Sequence, residues 1–269
     1  MTYEVKETLL KVENVSKTYD KPVLRDINFE VKNVVRQGFT QGQIIALIGR
    51  SGGGKTTLFN IISGILKPTT GDVKRLSRTD RTTLKPIKEG DMGVVFQNSY
   101  IYPWRKVRSI LRMAVEKNPD VKKENYDDAT DAIIEDLNLG EHSNKYSSQL
   151  SGGQRQRVAI AEQVLNGGDF ILLDEPFSGL DTISIDKVTK ILVDVASTDE
   201  YKTIIVVSHD LSNCMAISDT AFILATEEGK LGSTITHQID LAAQGMAWQP
   251  DIKDNPSFRE LLKQVKTLL

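Results

Sequence analysis

A glycine-rich loop that contains a lysine and a threonine is the part of this sequence best suited to chemistry. Residues 49–56 read GRSGGGKT and fit the spacing G-x-x-x-x-G-K-[ST]. That spacing is typical of loops whose backbone N–H groups surround phosphate oxygens. Lys55 would contact the β- and γ-phosphates of a nucleotide, and the Thr56 hydroxyl would bind Mg²⁺. The predicted phosphate-binding residues are Gly49, Ser51, Gly52, Gly53, Gly54, Lys55, Thr56 and, as a helix-start residue without an assigned ligand, Thr57.

The segments on either side of the loop are those that a phosphate site requires. Residues 44–48 form a continuous apolar run, which is typical of a strand buried on both faces. Leu58, Ile61, Ile62 and Ile65 follow with the spacing of an amphipathic helix. A helix that begins at the loop adds free N–H groups and about half a positive charge at its N-terminus. A turn without a ligand is the alternative, and the complete spacing disfavours it.

Four polar side chains lie at or just beyond the ends of apolar runs that are predicted strands: Gln97, Asp174, Glu175 and His209. Ligands of parallel α/β sheets bind beyond the carboxyl ends of the strands. Asp174 and Gln97 are therefore predicted metal ligands, and Glu175 is predicted to orient or deprotonate an attacking water. His209 is predicted to contact the γ-phosphate. A surface amide for Gln97 and an ordinary turn histidine for His209 are the alternatives.

Three further residues give weaker signals. Tyr19 lies at a turn between two predicted strands, where it could stack on a nucleotide base or cover the end of the sheet. Ser151 precedes two glycines and is a predicted N-cap of a helix whose first turn is open to an anion. Asp181 is either a helix-start carboxylate or a residue that contacts another subunit.

Composition limits the function classes. The 269 residues are 39% hydrophobic and 26% charged, as in an ordinary globular protein, and the net charge of −2 argues against nucleic-acid binding as the main role. No apolar run approaches the 18 or more residues of a spanning helix, and the first residues lack a signal-peptide core, so a membrane role would depend on a partner. The one cysteine, Cys214, is expected to be a small buried residue rather than a nucleophile.

The whole pattern predicts an α/β fold of the P-loop NTPase class, with a mainly parallel core sheet, an antiparallel β subdomain and an inserted helical lobe. Residues 9–16 and 23–31 alternate as antiparallel strands do, and residues 33–43 are expected to form a loop. The expected domains are an ATPase domain at 1–230 with its helical lobe at about 98–167. A peripheral tail at 231–269 is expected to end in a short helix capped by Ser257.

The order of these motifs closely resembles that of the ATP-binding subunits of ABC transporters, over residues 9–225. Each smaller motif is weak evidence alone, but the set in this order is highly specific. Residues 49–56 are similar to the family's Walker A motif, Gln97 to its Q-loop, residues 150–154 to its signature, residues 171–175 to its Walker B motif, residues 178–181 to its D-loop, His209 to its H-loop and Tyr19 to its aromatic A-loop.

The resemblance implies ATP and Mg²⁺ as cofactors and a dimer as the working form. In that family two subunits, here expected to be identical, hold two ATP molecules between the Walker A motif of one chain and the signature of the other. A second helix N-terminus facing the γ-phosphate would neutralise charge that Lys55 and the metal leave. The residues this adds to the nucleotide-binding set are Ser151, Gly152, Gly153, Gln154 and Asp181.

A finer resemblance concerns the partner and the solute. Residues 95–97 and 102–105 are similar to the Q-loop region of nitrate, sulfonate and taurine importers, which faces the permease in that family. The expected partners are a transmembrane permease that docks near residues 97–108 and a solute-binding protein, with no nucleic acid. The chain would then be cytoplasmic and peripheral on the inner face of the membrane. A solvated basic helix face around Trp104 is the alternative for this segment.

Other functions remain open at this point. The alternatives are a soluble ABC ATPase that acts as a switch or assembly factor without a permease, an exporter ATPase, and an ATPase acting on DNA or ribosomes. The sequence departs from the importer group at Ile110, Gln154, Glu162, Gln163 and Ser208. The transported solute therefore stays open.

Overall fold

The computed structural model describes residues 3–36, 38 and 41–269. Within them the strands are β1 Tyr3–Thr18, β2 Pro22–Arg36, β3 Gln43–Gly49, β4 Thr70–Leu76, β5 Leu84–Pro86, β6 Gly93–Val95, β7 Phe170–Asp174, β8 Thr203–Ser208, β9 Thr220–Ala225 and β10 Thr234–Asp240. The helices are α1 Lys55–Ile62, α2 Val107–Val115, α3 Tyr126–Asp136, α4 Gly152–Leu165, α5 Thr182–Ala196, α6 Leu211–Ala216 and α7 Pro256–Leu268, with short 3₁₀ turns between them. No helix of the described residues is both long and apolar enough to cross a membrane.

The strands form two sheets. The central sheet has six strands in the order β10-β9-β3-β8-β7-β6, with β6 to β9 and β3 parallel and β10 antiparallel to β9. The second sheet has four antiparallel strands in the order β2-β1-β4-β5. The predicted fold class, a mainly parallel core sheet with an antiparallel β subdomain and helical segments, is confirmed.

The central strands separate two hydrophobic cores. On β3, Ile44, Ala46 and Ile48 pack into the core on the helical face, while Ile45 and Leu47 pack into the core that faces the antiparallel sheet and α1. Successive side chains of a strand point to opposite faces, so a strand covered on both sides must be apolar at every position. This explains the continuous apolar runs of β3, β7 and β8, whose residues are all buried.

The helical segment between β6 and β7 contains α2, α3 and α4, as the periodicity predicts. α2 begins at Val107, whose buried side chain belongs to the apolar face of the helix. α3 ends at Asp136, and Asn138 follows with a positive φ of 51°. The proposed domain boundaries at 98–167 and 231–269 stay predictions.

Two expectations from the sequence were wrong. Residues 33–36 are part of β2 rather than a loop, because β1 continues far enough to pair with them: Tyr3 lies opposite Arg36. Residues 37, 39 and 40 of the expected 33–43 loop lie outside the described residues. The 231–269 segment is not simply peripheral, because β10 adds a strand to the central sheet and Phe258 and Val265 of α7 are fully buried.

The cap of α7 also differs from the prediction. Asn255, rather than Ser257, caps the helix, and its side chain accepts from the backbone N–H groups of Ser257 and Phe258. Pro256 occupies the first helical position, where a missing N–H is tolerated. The helix therefore begins at Pro256, one residue before Ser257, which the sequence predicted to be its cap.

A buried carboxylate connects the C-terminal segment to the central sheet. Asp219, just before β9, is fully buried and pairs with the guanidinium of Arg36. Its carboxylate also accepts from the Ile44 backbone N–H at 2.8 Å and from the Trp248 indole N–H at 3.0 Å. The end of β2, the start of β3 and the C-terminal segment therefore meet at one fully hydrogen-bonded acid.

Candidate nucleotide site

The glycine-rich loop lies between β3, which ends at Gly49, and α1, which begins at Lys55. Gly54 is the N-cap of α1 with a φ of 86°, a left-handed conformation that favours glycine. A Cβ added at Gly54 would lie 2.9 Å from Leu24 Cδ2. Glycine is therefore required here both by the backbone and by the β1–β2 hairpin packed against the loop.

Lys55 is buried inside the loop. Its ammonium donates to the carbonyl oxygens of Gly49 at 3.0 Å and Arg50 at 3.3 Å. The same Nζ lies 3.4 Å from Glu175 Oε1, across the loop. The ammonium therefore faces the end of β7, where the predicted acidic pair is located.

Glu175 is held by more groups than any other acid at this edge of the sheet. It accepts from the Ser208 hydroxyl at 2.8 Å and from the His209 backbone N–H at 3.1 Å. His209 Nδ1 lies 2.9 Å from Glu175 Oε1. Burial alone would raise the Glu175 pKa, but the bonds from His209 and Ser208 and the charge of Lys55 outweigh it and hold that pKa below its usual range. The side chain is thus an ionised carboxylate at neutral pH.

Glu175 also has a strained backbone. Its φ is 51°, in the left-handed region that non-glycine residues seldom adopt. The backbone N–H of Glu175 donates to the Val207 carbonyl at 2.8 Å, which ties the residue to β8. This strain turns the carboxylate toward Lys55 and His209, and strain of this kind occurs most often at functional sites.

Asp174 is the last residue of β7 and is buried, yet no described side chain or backbone N–H donates to its carboxylate. Burial raises its pKa, and the neighbouring negative charge of Glu175 raises it further, against the attraction of Lys55.

A buried acid without a donor has coordination sites to offer a cation. Asp174 with the exposed Thr56 hydroxyl fits Mg²⁺, which is commonly bound through one or two carboxylates together with substrate phosphates. No cluster of three or more His, Cys, Asp or Glu side chains suited to a metal occurs in the described ranges.

Gln97 lies at the other side of this edge, exposed, with its amide nitrogen 3.5 Å from the Ser178 hydroxyl. It lines a cleft of about 580 Å³ together with the predicted signature and the D-loop segment. The structure therefore brings Gln97 together with Ser151 and Asp181, rather than placing it in contact with Lys55 or Glu175.

Ser151 and Asp181 each cap a helix at this cleft. Ser151 caps α4: its hydroxyl accepts from the Gln154 N–H at 3.3 Å, and the Gln154 side chain accepts from the Ser151 N–H at 2.8 Å. Asp181 caps α5 through the N–H of Ser184 at 2.9 Å. Asp181 is thus a helix-start carboxylate, and no hydrogen bond within the described part of the chain joins the 151–154 segment to the 49–56 loop.

Tyr19 and Thr57 are placed by the fold without a contact that assigns them a role. The Tyr19 side chain is 57% exposed beyond β1, with the Lys17 ammonium 5.1 Å from its ring centroid. Thr57 is half-buried in the first turn of α1. Their participation in nucleotide binding stays a prediction.

Ser208 is the residue of this site that sequence reasoning missed. It is fully buried at the end of β8, donates to Glu175 and accepts from the Asp210 N–H at 3.0 Å. A hydroxyl at the carboxyl end of a predicted strand, next to His209, was the available signal. In the importer group that this sequence resembles, threonine is common at the position of Ser208.

The family profile of ABC transporters matches residues 32–178. Among curated proteins, the chain is 32% identical over 262 residues to the bicarbonate transport ATP-binding protein CmpC of Synechococcus elongatus, covering 94% of this chain and 37% of that protein. It is 28% identical over 269 residues to the taurine import ATP-binding protein TauB of Jannaschia, covering 96% and 92%. It is 34% identical over 198 residues to the aliphatic sulfonates import ATP-binding protein SsuB of Escherichia coli, covering 74% and 72%.

Solved structures give a matching picture. A dimeric post-hydrolysis state of the ATP-binding cassette MJ0796 with ADP and phosphate superimposes with a TM-score of 0.67 at 25% identity, covering 87% of this chain and 99% of that one. The cbiO1 protein of Clostridium perfringens, part of an ABC transporter complex, superimposes with a TM-score of 0.71 at 24% identity, covering 98% and 96%.

Proposed function

Since this chain belongs to the ABC transporter ATP-binding proteins, a family of ATPases, we propose that it hydrolyses ATP at two sites shared between two copies and thereby drives a separate membrane permease. The observation that carries this proposal is the approach of the Lys55 ammonium to 3.4 Å from Glu175, beside the buried Asp174. These three groups supply phosphate binding, water activation and metal binding at one edge of the sheet.

The chemistry assigned to each group follows from its charge. Lys55 neutralises phosphate oxygens, since its ammonium is buried and can replace the loop carbonyls by a stronger anionic partner. Glu175 accepts a proton from the water that attacks the γ-phosphate, with Ser208 and His209 fixing its orientation. Mg²⁺ on Thr56 and Asp174 would neutralise charge on the phosphates. His209 would also contact the γ-phosphate, and Gln97 would hold the metal or its water.

The second copy is inferred from the signature segment. A Cβ added at Gly152 would meet nothing within 4 Å, so the chain's own packing does not require a glycine at this exposed helix start. Glycines that allow close approach of a ligand are a better reason for the sequence. We assign Ser151, Gly152, Gly153 and Gln154 to the phosphates of an ATP held by the partner, with Asp181 beside them. The dimeric state of MJ0796 with ADP and phosphate supports a dimer as the working form.

The permease would dock on the exposed aromatic and basic segment within residues 97–108. Tyr100 is 75% exposed and Trp104 is 70% exposed, and large exposed aromatic side chains are enriched at interfaces. The names of CmpC, TauB and SsuB support import of a small anion or organic solute such as bicarbonate, taurine or a sulfonate. In that role the chain would lie on the inner face of the membrane through its permease, with a solute-binding protein as a further component.

The Glu175→Gln variant tests the dimer. Without the carboxylate that accepts the proton, hydrolysis should fall by about 10² to 10⁴-fold while ATP still binds. Size-exclusion chromatography with Mg-ATP should then show a stable dimer. Lys55→Ala is the matched control, because it should lose ATP binding and stay monomeric. A Glu175→Gln chain that binds ATP but remains monomeric would contradict the shared-site mechanism.

The same trapped variant tests the permease. Glu175→Gln carrying an affinity tag should retain a polytopic membrane protein when isolated from its native membranes, identified by mass spectrometry. Adding Trp104→Ala should release that protein and leave nucleotide binding unchanged, since Trp104 lies outside the nucleotide site. Retention of the membrane protein by the Trp104→Ala chain would exclude this docking surface.

A further inference from the structure

His142 contacts the signature residue Gln154 from a neighbouring segment. His142 ends a 3₁₀ turn, Gly140–His142, that precedes the signature in the chain. Its ring Nε2 lies 3.0 Å from the Gln154 side-chain nitrogen, and its Nδ1 lies 3.1 Å from the Lys145 ammonium. Neither His142 nor Lys145 belongs to the nucleotide-binding set derived above.

The orientation of the Gln154 amide is fixed by its other contact. The Gln154 Oε1 accepts from the Ser151 N–H at 2.8 Å, which is half of the capping box at the start of α4. Its NH₂ group therefore faces His142, and an amide NH₂ only donates. His142 Nε2 must consequently be an acceptor, which places the proton of a neutral ring on Nδ1.

Lys145 competes for the same ring. An ammonium also only donates, and a neutral imidazole has a single acceptor nitrogen, so His142 can satisfy either Gln154 or Lys145 but not both. Lys145 is exposed and has a long flexible side chain, whereas Gln154 is held by the capping box. Lys145 is therefore the partner that moves away.

A second proton on His142 would break this arrangement. Both ring nitrogens would then carry hydrogen, and the Gln154 amide would have to rotate so that its oxygen faces Nε2. That rotation would turn the NH₂ group toward the Ser151 N–H and remove the side-chain acceptor from the capping box. The charge state of His142 is thus coupled to the backbone N–H of the signature serine.

The surroundings of His142 favour the neutral ring. Partial burial lowers its pKa first, and the positive charges of Lys145 and of Arg157 on α4 lower it further, while Glu141 acts in the opposite direction. Because the folded chain binds this proton less readily than the unfolded chain, His142 makes stability rise with pH between its folded pKa and about 6.5.

We propose that His142 is a positioning residue of the signature: its neutral ring orients Gln154, which in turn caps Ser151, and its protonation weakens the contact of the signature with the nucleotide of the partner subunit. The second half of this inference rests on the proposed shared site. The first half concerns the isolated chain alone and can be tested without nucleotide.

The tautomer of His142 is the first test. Two-bond ¹H–¹⁵N correlation spectra at pH 7.5 should show the Nδ1–H form, with an unprotonated Nε2. The chain has only three histidines, so the resonance is identified by its loss in His142→Gln. In Gln154→Met the amide donor is absent, and the population should shift toward the common Nε2–H form. A predominant Nε2–H form in the unaltered chain would overturn the proposal. This outcome does not depend on whether the proposed ATPase mechanism is correct.

The pH profile of ATP hydrolysis is the second test. Between pH 8 and pH 5.5 the apparent KM for ATP should rise about 2- to 10-fold in the unaltered chain, in line with the loss of one hydrogen bond of the capping box. His142→Gln keeps a neutral side chain and should show a smaller rise, whereas His142→Lys should have the raised KM throughout. All other residues of the nucleotide site are the same in the three chains, so their contributions cancel in the comparison. Superimposable profiles of the unaltered chain and His142→Gln would exclude the positioning role.

Discussion

Asp219 and Asp174 are both buried carboxylates at the ends of strands of the central sheet, but the numbers of hydrogen-bond donors around them differ. Asp219 lies at the amino end of β9 and is surrounded by donors: the Arg36 guanidinium, the Ile44 N–H and the Trp248 indole. Asp174 lies at the carboxyl end of β7 with no donor to its carboxylate among the described residues. Asp219 therefore has a hydrogen-bond donor for each side of its carboxylate, whereas Asp174 has none within the described ranges.

This difference separates a structural acid from one adapted to a ligand. A buried charge is tolerated when every lone pair has a partner, and it destabilises the fold when it does not. Asp219 joins three parts of the chain and has no capacity for a further partner. Asp174 keeps that capacity at the edge where ligands of parallel sheets bind. The number of hydrogen-bond donors around a buried carboxylate thus helps to distinguish a structural acid from one that binds a ligand.

The largest effect is expected from Asp219→Asn. It leaves the Arg36 guanidinium buried without an anion, which should lower the free energy of unfolding by about 3–5 kcal/mol. Urea denaturation followed by circular dichroism measures this loss. Glu227→Gln is the matched control, because it removes the partly exposed ion pair to Arg25, which solvent screens, and it should therefore change stability far less than Asp219→Asn does. Equal losses in the two variants would contradict the distinction drawn for Asp219.

A smaller effect is expected from Ser208→Ala. Loss of its hydrogen bond to Glu175 should reduce kcat by about 10-fold with little change in KM, since bonds to charged groups contribute about 1.5–3 kcal/mol and three other contacts remain. The pKa of Glu175 should rise, which moves the acid limb of the kcat profile to higher pH. Ser208→Thr keeps the hydroxyl and should restore both values. A profile unmoved by Ser208→Ala would show that the serine only fills space.

The smallest change in stability is expected from Asp174→Asn, and its sign is opposite to that of Asp219→Asn. Since no described group donates to the Asp174 carboxylate, and burial and Glu175 raise its pKa, its ionised form destabilises the fold. The amide should therefore raise the free energy of unfolding by about 1 kcal/mol at pH 7 while abolishing hydrolysis. The gain should disappear below about pH 4, where Asp174 is protonated in both states. Thermal unfolding of both chains from pH 3.5 to 7.5 measures it. A destabilised Asp174→Asn chain at pH 7 would show that this acid is saturated after all.

Much of the fold could be predicted because local patterns dictate it. The apolar runs of β3, β7 and β8 leave no alternative to strands covered on both faces, and the 49–56 spacing fixes the loop between β3 and α1. The extension of β2 to Arg36 could not be predicted, because it depends on pairing with Tyr3, far away in the chain. β10 was missed for a different reason: its partly exposed residues show no strong alternation of apolar and polar positions.

The candidate site was predicted as a set of residues but not as a set of contacts. Gln97, Asp174, Glu175 and His209 were recognised because each follows an apolar run. Their partners were not, because a hydrogen bond between Ser208 and Glu175 spans 33 residues and depends on the neighbouring positions of β7 and β8. The role of Asp219 escaped notice for a similar reason, since Arg36 and Trp248 lie distant in sequence on either side of it.

The alternation of β3 between two cores has a consequence for how the molecule opens. If the antiparallel layer detaches, the helical core still covers Ile44, Ala46 and Ile48, and if the helical layer detaches, Ile45 and Leu47 remain covered by the other core. Neither partial opening releases β3, so its amides should be among the last to exchange with solvent. The loop that carries Lys55 is therefore attached to a strand that either partial opening leaves in place, so the proposed closing and separation of two subunits around the loop need not disturb its support.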